Sequence, residues 1–204
     1  MGSIVVQAFM SLDAVVQSPS PEEDPEGGFP HTGWATDYDT EHGGEEIGEL
    51  VRQWEQRTEA LLLGRRTYEI WAGAWGVWDE GAPGLQGELT RRYNRVPKYV
   101  ASRTLTGLGW QNFHLLGSDV PGEVARLRAE QDGELRVWGS TELVRTLAAH
   151  DLVDEYRLAV YPLVLGSGKK LFPEGFPYSR FTLADARTLR SGVVVTTYRC
   201  AEPA

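Results

Sequence analysis

A chain of 204 residues with 41% hydrophobic and 10% aromatic content can bury one substantial core, which excludes disordered, collagen-like and low-complexity architectures. Its 29 acidic residues against 20 basic ones leave a net charge of −9, arguing against nucleic acid as a partner, because phosphate-driven affinity needs clustered Lys and Arg. The single cysteine, Cys200, allows no internal disulfide, the four histidines stand at no metal-ligand spacing, and no apolar run is long enough to span a bilayer. The expectation is one cytoplasmic domain over residues 1–204, with no metal and no membrane contact.

The charge is uneven. Met1 to Val51 carries eleven carboxylates and no Lys or Arg, so the rest of the chain is slightly positive and is expected to hold any anionic ligand. Ser18 to Gly28 (SPSPEEDPEGG) reads as an exposed loop.

In chain order, Ile4 to Met10 is a β-branched apolar run consistent with a buried strand, and Ile47, Leu50, Val51 and Trp54 recur at one-face helical spacing. Ala60 to Leu63 reads as a second strand, followed by a helix-compatible stretch from Arg65 through Trp71. Lys98 to Ala101 reads as a third strand. Val124 and Leu127 lie on a helix started by Pro121; Leu135 to Trp138 is a further strand, and Leu143, Val144 and Leu147 share a helix face. Strands alternating with helices imply right-handed crossovers, hence a mainly parallel sheet with helices on both faces. From Tyr156 the rhythm changes: Tyr156 to Val160, Phe181 to Ala184 and Val193 to Tyr198 are separated by turns and read as an antiparallel finish. Gly166-Ser167-Gly168-Lys169, between the first two of these runs, reads as a flexible turn.

In an open α/β sheet the ligand crevice lies outside the carboxyl ends of the strands, where helix N-termini favour anions. Three turns carry suitable residues: Gly64-Arg65-Arg66-Thr67, Ser102-Arg103-Thr104 and Gly139-Ser140-Thr141-Glu142. Guanidinium groups, hydroxyls and close-approach glycines at three equivalent positions describe a site for a ligand with several phosphates. Neither a GxxxxGK[ST] nor a GxGxxG after a strand is present, which disfavours a P-loop or an ordinary dinucleotide fold.

Five segments in register resemble the dihydrofolate reductase superfamily: Ser11-Leu12-Asp13, Leu62 to Glu69, Ala101 to Thr104, Val137 to Ser140, and Tyr161 to Gly168 with Leu171-Phe172. The closer branch is the reductase domain at the C-terminus of the bacterial riboflavin-biosynthesis protein RibD. The resemblance implies a dihydrofolate reductase-like domain that binds NADPH and transfers hydride to a C=N or C=O group of a small heterocyclic or carbonyl substrate. A non-catalytic NADP-binding sensor or partner module on the same fold is the alternative. By the same resemblance, Gly64, Arg65, Arg66 and Thr67 would lie beneath the cofactor phosphates, Ser102 and Arg103 would hold the adenosine 2′-phosphate, and Gly139, Ser140, Thr141 and Glu142 would wrap the pyrophosphate. Ala8, Val15 and Val16 would line the nicotinamide.

Two carboxylates are candidates for the catalytic end: Asp13 after the first strand, and Asp37, expected with Asp39 just before the first helix. Ala14 stands where the family often has glycine. The segment Ser18 to Asp39 is expected to form the substrate lid, and its lack of cations suits an uncharged or cationic substrate. Trp34, Trp71, Trp75 and Trp78 are available as stacking surfaces or as packing. The apolar last strands are expected to pair in a homodimer.

Overall fold

The computed structural model describes residues 1–24, 27–106 and 109–201. Among the described residues eight strands make one sheet: β1 (Ser3–Ser11), β2 (Thr58–Gly64), β3 (Lys98–Ala101), β4 (Phe113–Leu116), β5 (Glu134–Trp138), β6 (Glu155–Tyr161), β7 (Phe181–Thr188) and β8 (Val194–Cys200), in the order β4-β3-β2-β5-β1-β6-β8-β7. The first six are parallel; β8 runs antiparallel to β6, and β7 to β8.

Why the parallel strands read as continuous apolar runs is visible at β2, which is covered on both sides. Leu61 and Leu63 join one core with Trp54, Trp71 and Tyr93, while Leu62 joins the opposite core with Val124, Leu135 and Leu147. The first core is closed by α1 (Trp34–His42), α2 (Glu45–Glu55), α3 (Arg65–Ala74) and α4 (Gly84–Arg95), the second by α5 (Val120–Glu130) and α6 (Thr141–Ala148). Burying each such leucine contributes about 2 kcal/mol, so the two cores dominate the fold energetics. The single-sheet α/β architecture with helices on both faces agrees with the sequence reading.

Four expectations need correction. The antiparallel finish begins one strand later, because β6 pairs parallel with β1 over Val5 to Ser11 and extends the parallel set. The segment Ser18 to Asp39 is not one long loop: α1 begins at Trp34, so Asp37 and Asp39 lie within it. Ser18 is buried, and Pro21–Glu23 form a short 3-10 turn; Pro25 and Glu26 of the proposed acidic loop lie outside the described residues. The Gly166 to Lys169 segment is pinned rather than free, as its contacts below describe.

Candidate functional site

A cavity of about 850 Å³ lies along the carboxyl ends of the parallel strands, and each of the six supplies part of its wall. Gly64 to Thr67 follow β2, Ala101 to Thr104 follow β3, Gly117 and Ser118 follow β4, Gly139 to Glu142 follow β5, Val16 to Ser18 follow β1, and Lys169 lies beyond β6. The amino termini of α3, α5 and α6 therefore meet at one rim, where free N–H groups and aligned peptide dipoles favour anions.

The turns after β2 and β5 are stitched to each other. Gly64 N–H donates to Ser140 Oγ at 2.9 Å, and Ser140 N–H donates to Thr67 Oγ1 at 3.1 Å. Both Gly139 and Ser140 sit at φ 52°, the left-handed region, which turns their backbone toward the cavity. A Cβ added at Gly139 would stand 3.2 Å from Thr67 Oγ1, so glycine lets the turn after β5 pack closely on Thr67. After β3, Ser102 Oγ accepts from Thr104 N–H at 3.2 Å and Leu105 N–H at 2.9 Å, which curls the chain and leaves Arg103 exposed at the rim. Arg65 pairs with Glu69 at 2.9 Å across one helical turn, and Arg65, Arg66 and Arg103 all line the same cavity. The structure thus brings Gly64, Arg65, Arg66, Thr67, Ser102, Arg103, Gly139, Ser140, Thr141 and Glu142 together.

Sequence reasoning missed two parts of this wall. The start of α5 contributes Val120 and Pro121, and Asp119 caps it by accepting from Gly122 N–H at 3.1 Å; the Asp-Val-Pro signature was available. Lys169 was hidden by its place in the Gly-Ser-Gly turn. Its backbone is fixed by two bonds: Val16 N–H donates to Lys169 O at 2.9 Å, and Lys169 N–H donates to Gln17 Oε1 at 3.0 Å. Leu171 N–H donates to Ala14 O at 3.0 Å. A Cβ at Gly168 would stand 2.7 Å from Val15 Cγ1, so the two segments touch backbone to side chain.

Asp13 organises this junction. Its carboxylate accepts from Ser11 Oγ at 2.6 Å, Leu165 N–H at 3.1 Å and Gly166 N–H at 2.9 Å, and the Ser11 bond foremost holds its pKa down to about 2. An acceptor of three bonds that stays ionised is a clip and a poor proton donor. Ala14 takes φ 65° and so reproduces the backbone a glycine would have there. Val16 lines the cavity, whereas Ala8 and Val15 are buried in the two cores and are not among its lining residues. On the same side, Glu23 and Asp24 face the cavity; burial, then the neighbouring Glu22, pushes the Glu23 carboxyl up to about 7. Asp24 accepts from Phe29 N–H and Thr32 Oγ1, both at 3.0 Å, and so folds the chain that leads into α1.

Asp37 is exposed in the first turn of α1 and is not a lining residue of the cavity. Asp39, two residues on, is half-buried. Its Oδ2 accepts from Tyr161 Oη at 3.0 Å, its Oδ1 is buried without a hydrogen-bond partner, and burial raises its pKa to about 6. Around it stands a row of rings: Trp34 and Tyr38 lie edge-on to Tyr161 at 5.2 and 5.5 Å, Tyr161 to Phe9 at 5.8 Å, and Phe9 to Trp138 at 5.5 Å. Trp138 Nε1–H donates to the buried Glu55 at 2.9 Å. Trp34 and Trp71 are core residues, and Trp75 and Trp78 pack on each other at 4.5 Å.

Comparison with known proteins agrees with this architecture. Residues 3–195 match the RibD C-terminal domain. The uncharacterized protein YyaP of Bacillus subtilis (strain 168) is 31% identical over 140 residues, covering 69% of this chain and 73% of YyaP. A Shewanella sp. PV-4 protein named for riboflavin biosynthesis superposes with a TM-score of 0.66 at 20% identity, covering 98% of this chain and 99% of that one. Dihydrofolate reductase from Enterococcus faecalis, complexed with NADP(H), superposes with a TM-score of 0.55 at 12% identity, covering 98% and 97% of the two chains. With the match running from β1 into β8, the chain belongs to the RibD C-terminal domain family.

Proposed function

We propose that this protein is an NADPH-dependent reductase that transfers hydride to a C=N or C=O carbon of a small substrate. The observation that carries the reading is the convergence of Arg65, Arg66 and Arg103 with three helix amino termini on one cavity. That rim suits a ligand with several phosphates, with Gly139 and Ser140 lining it at the start of α6. The bound dihydronicotinamide would supply the hydride. Arg103 and Ser102 would engage the 2′-phosphate, while the stitched turns at Gly64 and Ser140 would hold the pyrophosphate.

Asp39, like Asp37, does not line the cavity; of the two it would be the proton donor to a substrate bound against the ring row, since it stands on Tyr161 and burial favours its neutral form. Asp13 would then shape the loop beside the ring. Pairing into a homodimer is part of the same proposal. The edge strand β7 is exposed along its whole length, including Phe181 and Leu183, and such an edge needs cover.

Titration of Arg103→Ala tests the reading. NADPH affinity should fall about tenfold or more, with NADH affinity nearly unchanged. Equal losses for the two cofactors would refute the 2′-phosphate assignment. Failure of the native protein to bind NADPH would refute the function.

A further inference from the structure

Gln7 lies in the middle of β1, is fully buried, and has neither its side-chain N–H₂ nor its carbonyl oxygen hydrogen-bonded among the described residues. Its register partners, Trp138 on β5 and Arg157 on β6, stand beside it on the sheet face that carries α1 to α4. The polar groups of both are already used. Trp138 donates to Glu55, and Arg157 is held by Glu134 and Glu155 at 2.8 and 2.6 Å. Two residues along β1, on the same face, half-buried Phe9 stands edge-on to Trp138 and Tyr161. The amide therefore adjoins the ring row that ends at Asp39, whose Oδ1 is likewise buried without a partner among the described residues.

An apolar side chain would fill this position at lower cost, since a buried amide without partners forfeits its hydrogen bonds to water. A primary amide offers a donor and an acceptor in one plane, the complement of a flat amide edge that carries N–H beside C=O. Resting on the reductase reading above, we propose that Gln7 is a specificity-determining residue that reads the planar amide of a ring bound against Phe9, Trp138 and Tyr161. Two ligands share that chemistry: the nicotinamide carboxamide and a lactam-bearing heterocyclic substrate. Phe9 must turn aside for either to reach the amide; it is half-buried, as Trp138 beside it is.

The test uses the full chain, the near-isosteric Gln7→Met, and Gln7→Leu as a second variant. Tryptophan quenching would compare NADPH with its reduced 3-acetylpyridine analogue, which lacks the amide N–H₂, and 2-pyridone with 1-methyl-2-pyridone, which lacks the lactam N–H. The native protein should prefer the amide member of one pair by about tenfold, that pair identifying the source, and both variants should lose the preference. Because no native hydrogen bond is removed, the melting temperature of the variants should rise by about 3 °C. No preference in either pair, a preference retained by both variants, or a lowered melting temperature, as a trapped water would give, overturns the proposal. Failure of NADPH to bind at all sinks the reductase reading, and the pyridone pair then decides this inference alone.

Discussion

The hydroxyl of Ser140 accepts a hydrogen bond from the backbone of Gly64 at 2.9 Å, joining the turn after β5 to the turn after β2 across 76 residues of sequence. Together with the return bond from Ser140 N–H to Thr67, it fixes the separation of two helix amino termini that would otherwise be independent. Replacing Ser140 with Ala leaves Gly64 N–H unpaired in a half-buried corner. The expected cost is about 1–2 kcal/mol in urea unfolding, with NADPH affinity about tenfold weaker because the rim loses its spacing. Unchanged stability with unchanged affinity would show that the stitch does not set the site.

Asp39 links stability to pH with a definite sign. Burial raises its pKa from 3.8 to about 6, so the fold favours the neutral acid. That contribution is fully present below pH 3.8 and is lost as pH rises through about 6. Asp39→Asn, which is always neutral, should therefore gain in melting temperature relative to the native protein between pH 4 and pH 8. Turnover should fall about a hundredfold with NADPH affinity preserved. The same melting difference at both pH values would contradict the buried-acid description.

Asp13 runs the other way. Its pKa is depressed from 3.8 to about 2, so its contribution is present above pH 3.8 and disappears as pH falls through about 2. Asp13→Ala removes the acceptor for the Leu165 and Gly166 amides. Hydrogen exchange at those two amides should accelerate by about tenfold while exchange in β2 stays slow. If protection at Leu165 survives, the clip lies elsewhere.

Beneath the site, the buried Glu134 joins Arg136 and Arg157, and the Trp54 carbonyl accepts from Arg136 at 2.6 Å. Removing the carboxylate leaves the fully buried Arg136 guanidinium with the Trp54 carbonyl and the more distant Glu55 charge, and takes a direct ion-pair partner from it and from Arg157. Glu134→Ala should cost about 3–5 kcal/mol in chemical denaturation. A loss under about 1 kcal/mol would mean that water reaches this cluster.

Lys98 to Ala101 was legible at both ends, because its Tyr-Val centre is bounded by Pro97 before it and by Ser102-Arg103-Thr104 after it. Its neighbour β4 was not. This edge strand leaves His114 and Leu115 exposed, so the run lacks the continuous burial that marks its neighbours. The helix α1 buries only Trp34 and Ala35 at its start, so no apolar stripe betrays it, and α4 buries Thr90 and Asn94 among its apolar residues, which hides its period. At the site, the corners after β2, β3 and β5 could be read because each is a local strand-to-helix turn. Lys169 could not, because its place depends on Val16, Gln17 and Asp13, more than a hundred and fifty residues earlier. Asp37 and Asp39 differ only in which side of one helical turn faces the rings, and the sequence carries no mark of that choice.

The cavity has two walls of different construction. One is made of short turns locked to each other through Ser140 and Thr67; the other belongs to the connections after β1 and β6, tied to each other mainly by the Asp13 carboxylate and a few backbone bonds. Insertions or exchanges in those two connections can therefore reshape one side of the cavity without disturbing the turns locked through Ser140 and Thr67. One scaffold can in this way be refitted to many ligands over evolutionary time.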